Sequence, residues 1–210
     1  MKIFLITVGI LILLFVMFQI YTTMSIHKTE TQAYQVIRVE KNFEIRFYPL
    51  AMMAMISSTS KSYRDLGSSG FGKLAKYIFG GNDEKKQIAM TSPVHMDVGD
   101  TTSTMAFVLP SGYNQDNLPK PNDSSIAIRA SEPEFVAVVK FGGFASTDRI
   151  NKHISILQES LKEAGLSYHG NFRFLGYNPP YQIFGRRNEI IVALNENELN
   201  QAKLNKWESQ

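Results

Sequence analysis

The sequence predicts an α+β fold, in which an antiparallel sheet curved into a barrel carries two helices. Three observations lead to this prediction. Short segments with strand-like alternation of polar and apolar residues fill most of the chain between residues 34 and 194. Two further segments have apolar residues at helical spacing. The order strand pair, helix, strand pair occurs twice, and an internal duplication into two similar halves fits this order.

The first 24 residues predict a single membrane-spanning anchor. No residue from Ile3 to Met24 is charged, and these 22 residues would span about 33 Å as a helix. Lys2 and the terminal amine precede the apolar run, which slightly favours a cytoplasmic N-terminus and an exported domain. A cleaved secretory signal is the alternative, although its apolar region would be shorter. A buried core helix is a third interpretation. Residues 25–33 are polar and form a tether.

The composition excludes several classes of protein. The 210 residues carry a formal net charge of +3, and the basic residues are scattered, so no nucleic-acid partner is expected. Cysteine is absent, which excludes disulfides, thiolate metal sites and lipid attachment through an N-terminal cysteine.

The first half begins with two short strands, joined by a turn at Lys41-Asn42 and followed by a strand over residues 50–58. The first helix comes next, and glycines after it mark its end. Its regular part is expected to start near Ser69, because each glycine inside a helix costs roughly 1 kcal/mol. The apolar stripe of this helix consists of Leu66, Gly70, Leu74, Tyr77 and Ile78.

Residues 87–98, "QIAMTSPVHMDV", place a histidine between methionines, which raises the question of a metal site. On a strand, alternation puts His95 on one face and its methionine neighbours on the other. They cannot reach one metal unless Pro93 marks a bulge that resets the register. The core face would hold Ile88, Met90, Val94, Met96 and Val98. His95 is then a surface or hydrogen-bonded residue, and axial ligation by His95 is the less favoured alternative.

The second half repeats the pattern with strands, a helix closed by Gly165 and a last strand pair. The apolar positions of this second helix are Ile150, Ile154, Leu157, Leu161 and Ala164. Before the last strand, Arg186 and Arg187 are expected to point to opposite faces, with Asn188 in a tight turn and Glu189 paired to a neighbouring arginine. The alternative is that one arginine meets a carboxylate-bearing ligand. Residues 195–210 form a polar tail containing the lone Trp207.

Catalytic chemistry is not indicated. The chain has no G-x-S-x-G elbow, no nucleophile–base pair and no two histidines at i, i+4 spacing. The first helix is the most suggestive element, because its second edge runs from Phe71 to Phe79 with Lys76 at the rim. Such an edge could border a groove that takes a flat hydrophobic ligand and neutralises its carboxylates. The alternative is a helix buried on both sides.

The order of short motifs resembles that of the SOUL haem-binding protein family. The motifs are "GGN", "MTSPV", "LPKPNDSSI", "FGGFA", "GYNPP" and "GRRNEI", and they extend the resemblance over residues 34–194. The resemblance implies a monomeric, distorted antiparallel β-barrel with two helices, built from two similar halves. It also implies haem or tetrapyrrole binding, without catalysis, in an apolar groove beside the first helix.

The family's groove helix matches "GFGKLAKYIFGGN", Gly70 to Asn82. The resemblance therefore implies Phe71, Leu74 and Tyr77 as ring contacts and Lys76 as the partner of a haem propionate. This helix departs from the family pattern by containing Gly70 and Gly72, and it has no histidine to serve as an axial ligand. The anchor lies outside the family domain and suggests a bacterial envelope protein with its domain on the periplasmic side. Alternatives are a binding module for another amphipathic small molecule and a protein-interaction domain with a closed groove.

Overall fold

The computed structural model describes residues 1–27 and 29–195, without the side chains of residues 25–27. Three helices and nine strands lie in this part of the chain. The helices are α1 (Lys2–His27), α2 (Tyr63–Ile78) and α3 (Thr147–Glu163). The strands are β1 (Gln35–Val39), β2 (Glu44–Tyr48), β3 (Met52–Ser58), β4 (Val94–Val98), β5 (Ser103–Val108), β6 (Ile126–Ala130), β7 (Glu134–Phe141), β8 (Tyr168–Gly176) and β9 (Asn188–Leu194). The α+β prediction is confirmed.

The strands form one antiparallel sheet in the order β1-β2-β7-β9-β8-β4-β5-β3-β6. If β2 exchanges with β6, β3 with β7, β4 with β8 and β5 with β9, the same order of these eight strands is obtained, read from the opposite edge of the sheet. The same correspondence relates α2 to α3, because α2 packs on β3 and β5 while α3 packs on β7 and β9. The two predicted halves are therefore confirmed in the topology. The predicted barrel needs one correction: β1 and β6 are unpaired edges, so the sheet is curled but not closed.

Helix α2 begins six residues earlier than the expected start at Ser69. Ser62 caps it by accepting a hydrogen bond from the backbone N–H of Asp65 at 3.1 Å, and its own hydroxyl donates to the Asp65 carboxylate at 2.7 Å. Gly70 is tolerated because a Cβ there would lie 2.5 Å from Ile56 Cδ1, so glycine allows the helix to approach the sheet closely. The predicted stripe is the buried face of this helix, as expected.

Strand β4 has the predicted facing but is shorter than predicted, because it begins only at Val94. Met96 lies in the main core between the sheet and the helices, whereas His95 faces the opposite side of the sheet. Within β4 the alternation is regular, since β4 pairs with β5 without a register shift from Val94 to Val98. His95 and Met96 therefore cannot share a metal.

Helix α1 is long and apolar enough to cross a membrane, and only 6% of its apolar span is buried against the rest of the protein. It continues to His27, three residues beyond the predicted anchor. The chain then meets the domain almost at once, because Glu30 and Gln32 exchange backbone hydrogen bonds with Ser92 at 2.9 and 2.8 Å. The predicted polar tail lies outside the described residues from position 196 onward.

Candidate functional site

The outward side of α2 carries a strip of apolar surface, which we call the helix edge. It consists of Phe71, Gly72, Ala75, Lys76 and Phe79, the last being the C-terminal cap residue. Phe71 and Phe79 are 43% and 64% exposed. Because successive residues turn by about 100°, Phe71 and Lys76 lie about 140° apart around the axis. Phe79 falls between them, so the strip is continuous and Lys76 stands at its rim.

Gly72 leaves bare backbone in the middle of the helix edge. A Cβ at this position would meet nothing within 4 Å, whereas a Cβ at Gly70 would clash with side chains of the sheet. A glycine inside a helix costs roughly 1 kcal/mol relative to alanine. Packing in the described structure does not require Gly72, and its effect is a flatter surface between Phe71 and Phe79.

Lys76 provides an available cation at this rim. Within the described part of the chain, no carboxylate lies within ion-pair distance of its ammonium group. Lys73 donates to the Ser125 hydroxyl at 3.3 Å. The pKa of Asp123 is lowered because Ser125 donates to its carboxylate, with weaker attraction from Lys73 and Lys76. The helix edge can therefore attract an anionic group beside its apolar strip.

The other two predicted contacts, Leu74 and Tyr77, point into the core and are fully buried. The Tyr77 hydroxyl donates to the carbonyl of Pro119 at 3.0 Å, and burial raises the pKa of Tyr77 to about 12. The structure therefore brings Phe71 and Lys76 to one surface and leaves Leu74 and Tyr77 beneath it. Direct contact of Leu74 and Tyr77 with a ligand stays a prediction.

A cleft of about 690 Å³ opens on the other flank of α2, between the first turns of α2 and α3. Its lining includes Arg64, Gly67, Met96, Phe144, Phe174 and Arg186. The Arg186 guanidinium lies 4.4 Å from the centre of the Phe144 ring and donates to the carbonyls of Pro179 and Gln182, both at 2.7 Å. Arg64 is exposed at the cleft mouth and is the cation best placed to meet a ligand in this cleft.

His95 lines a second cleft, a groove of about 930 Å³ on the sheet face that points away from the helices. One ring nitrogen of His95, Nε2, is 2.7 Å from the side-chain oxygen of Gln32, as expected for a hydrogen-bonded residue. Burial lowers the pKa of His95 to about 3, with a further contribution from the positive charge of Arg173. The imidazole is therefore neutral at physiological pH. Among the described residues, no group of three or more His, Asp or Glu side chains could hold a metal ion.

A buried ionic network lies on the same sheet face, and sequence reasoning missed its central pair, Arg46 with Glu189. Glu189 and Arg46 are both fully buried and form a bidentate pair with contacts of 3.0 and 3.1 Å. Arg187 donates to Glu189 at 2.7 Å, and the Tyr177 hydroxyl donates to it at 2.8 Å. Burial would lower the pKa of Arg46, but the hydrogen bonds and charge of Glu189 raise it above the ordinary value. Arg46 and Glu189 are 143 positions apart, so no local pattern indicates the pair.

The arginine pair follows the prediction in most respects. Arg186 lines the cleft on the helix side of the sheet and Arg187 joins the network on the other side, so they do point to opposite faces. The predicted pairing of Glu189 with a neighbouring arginine is confirmed. The turn assignment is wrong, because Asn188 begins β9 and the left-handed position is Gly185, with φ of 63°.

Comparison with known proteins gives a match over nearly the whole domain. The model of the SOUL heme-binding protein family matches residues 29–193. Heme-binding protein 2 from Homo sapiens is 30% identical over 164 residues, covering 74% of this chain and 80% of that protein. Heme-binding protein 1 from Xenopus laevis is 31% identical over 161 residues, covering 73% and 84%.

Solved structures share the fold at low sequence identity. The C-terminal domain of EcmrR superimposes with a TM-score of 0.57 at 10% identity, covering 77% of this chain and 98% of that domain. A hydrolase from Listeria innocua gives a TM-score of 0.54 at 6% identity, covering 76% and 94%. At such identities the likeness concerns the architecture alone.

Proposed function

The chain belongs to the SOUL haem-binding protein family, and on that premise we propose that it is a membrane-tethered protein that binds haem or a related tetrapyrrole. Binding occurs without catalysis, and the protein buffers or carries the ligand at the cell envelope. The observation that supports this proposal is the match to the family over the domain, combined with a flat apolar strip on the helix expected to bind. Helix α1 supplies the tether, with the domain on the exported side.

The residues of the helix edge fit a tetrapyrrole in their chemistry. Phe71 and Phe79 offer aromatic surface, and Gly72 lets a flat ring approach the backbone. Lys76 is free to pair with a carboxylate at the rim of the ring. Leu74 and Tyr77 support this surface from within the core. The described helix edge has no histidine, so binding rests on ring contact and charge pairing without an axial ligand from this helix.

A spectroscopic titration tests the proposal. The full chain in detergent micelles is titrated with haem and, in parallel, with iron-free protoporphyrin, and absorbance is followed through the Soret band. We expect saturable binding of one equivalent of either ligand, because the contacts do not involve the iron. If neither ligand binds, the proposed function is wrong. If haem alone binds, an iron ligand is required, and His95 becomes the first residue to replace.

Variants locate the site. Lys76→Glu is expected to weaken binding roughly 3- to 10-fold, because it replaces attraction by repulsion at an exposed position. Phe71→Ala is expected to weaken it roughly 2- to 10-fold through loss of aromatic contact. Lys152→Glu on α3 is the matched control, since it makes the same charge change at another exposed helix position. Arg64→Glu tests the cleft: if it alone reduces affinity, the ligand lies between the helices and not on the helix edge.

A further inference from the structure

The connection between β8 and β9, residues 177–187, buries a glutamine at its tip and exposes the three apolar side chains around it. Gln182 is only 2% exposed, donates to the carbonyl of Phe184 at 2.8 Å and accepts from the Asn178 amide at 2.9 Å. Tyr181, Ile183 and Phe184 are instead 57%, 42% and 64% exposed. This is the reverse of the usual arrangement in a loop that meets water. We call these three residues the loop tip.

Helix α1 contacts the loop tip through its only glutamine. The Gln19 side-chain oxygen accepts from the backbone N–H of Ile183 at 3.0 Å, and its nitrogen donates to the carbonyl of Tyr181 at 3.2 Å. The rings of Phe18 and Tyr181 lie 6.0 Å apart. An unpaired side-chain amide is unfavourable in an apolar environment, but here the loop backbone provides a hydrogen-bond partner for both the oxygen and the nitrogen of Gln19.

The position of Gln19 fixes the height of the loop tip relative to a membrane. Gln19 lies five residues before Met24, the end of the apolar span, which corresponds to about 7.5 Å along the helix. The connection to the domain is also short, because only five residues lie between Met24 and Glu30, whose carbonyl accepts a hydrogen bond from the domain. Even fully extended, the six Cα-to-Cα steps from Met24 to Glu30 reach about 20 Å. The domain is therefore held close to the end of the span.

We propose that the loop tip inserts into the interfacial layer of the bilayer that α1 crosses, so that the domain rests on the membrane. The proposal depends on the membrane tether that forms part of the proposed function. Aromatic and aliphatic side chains next to the end of a span are typical of residues at this depth. Phe144, which is 51% exposed and stacked on Arg186, extends the apolar surface beside the loop. The interhelical cleft, which Phe144 and Arg186 also line, then opens next to the lipid surface.

Single spin labels measure this depth directly, and the absence of native cysteine makes labelling specific. The full chain carrying Phe184→Cys is labelled with a nitroxide and reconstituted into vesicles of phosphatidylcholine and phosphatidylglycerol. Collision with oxygen and with a water-soluble nickel chelate then gives the depth. The control is Glu163→Cys, at the far end of α3, about 25 Å along that helix from the residues beside Phe144.

We expect the label at position 184 to lie about 5–10 Å below the phosphate level and the control label to lie in water. If both labels report water while the protein remains in the vesicles after an alkaline wash, the loop-tip proposal is wrong and the tether stands. If the protein is released by the wash, the tether and the loop-tip proposal both fail. The replacement Gln19→Leu should move the label at position 184 towards water, because it removes both hydrogen bonds to the loop.

Discussion

Replacing each of two glycines of α2 by alanine is expected to change the stability in opposite directions. At Gly72 the added methyl group meets nothing within 4 Å, so the only effect is the better helix propensity of alanine, about 0.8–1 kcal/mol. At Gly70 the same gain is opposed by a Cβ placed 2.5 Å from Ile56 Cδ1 and 3.2 Å from Met105 Sδ. Overpacking of this kind costs typically 1–3 kcal/mol. Gly70→Ala should therefore lose up to about 2 kcal/mol.

The propensity gain cancels in the difference between the two variants, which isolates the overpacking cost. Thermal unfolding of the full chain in detergent, followed by circular dichroism, measures this difference at about 2–4 °C per kcal/mol. Gly72→Ala should also weaken haem binding although it stabilises the protein, because the methyl group stands on the helix edge. A Gly70→Ala protein as stable as Gly72→Ala would refute the packing argument. Unchanged haem affinity in Gly72→Ala would show that the ligand does not approach this backbone.

Two further variants test the opposite face of the sheet. Glu189→Gln should destabilise the protein by about 3–5 kcal/mol in urea denaturation, because it leaves Arg46 buried without its main counter-charge. Glu134→Gln, at the partly exposed pair with Arg173, should cost less than about 1 kcal/mol, and equal losses would contradict the role of burial. His95→Gln tests the low pKa of His95. In the unfolded state the histidine binds a proton below about pH 6.5, whereas in the folded state it does so only near pH 3. The native protein therefore loses stability as the pH falls between these values. Between pH 7.5 and 5.5 the wild type should lose about 1.4 kcal/mol more than His95→Gln, and parallel pH profiles would show that His95 is not buried in its neutral form.

Periodicity predicted those features that depend on near neighbours in the sequence. Alternation placed His95 and Met96 on opposite faces of β4, and helical spacing identified the buried stripe that includes Leu74 and Tyr77. The same stripe already placed these two residues in the core, whereas the family resemblance named them as ring contacts. A matched motif identifies positions, but it does not say which face of the helix each side chain occupies.

Features that depend on the folded neighbourhood could not be predicted. The start of α2 was placed too late because the helix propensity of Gly67 is poor, and only the sheet beneath Gly70 explains why glycine is present at that position. The pair between Arg46 and Glu189 joins strands from different halves, so no local pattern indicates that these two residues meet. The contact of Gln19 with the loop tip likewise links two ends of the chain.

The twofold correspondence between the two halves of the domain has a consequence for the number of ligands bound. At the centre of the sheet β4 pairs with β8, the strand that corresponds to it in the other half. The junction between the two halves therefore resembles the isologous interface of a twofold-symmetric dimer. The domain thus has the geometry of two subunits fused into one chain, and α2 and α3 occupy equivalent places. Their outward sides have nevertheless diverged, because α3 exposes Lys152, Glu159 and Lys162 where α2 exposes its aromatic strip. A symmetric ancestor would offer two equivalent surfaces, whereas the described part of this chain carries the aromatic strip on α2 and not on α3, so the proposed binding mode predicts one ligand per molecule.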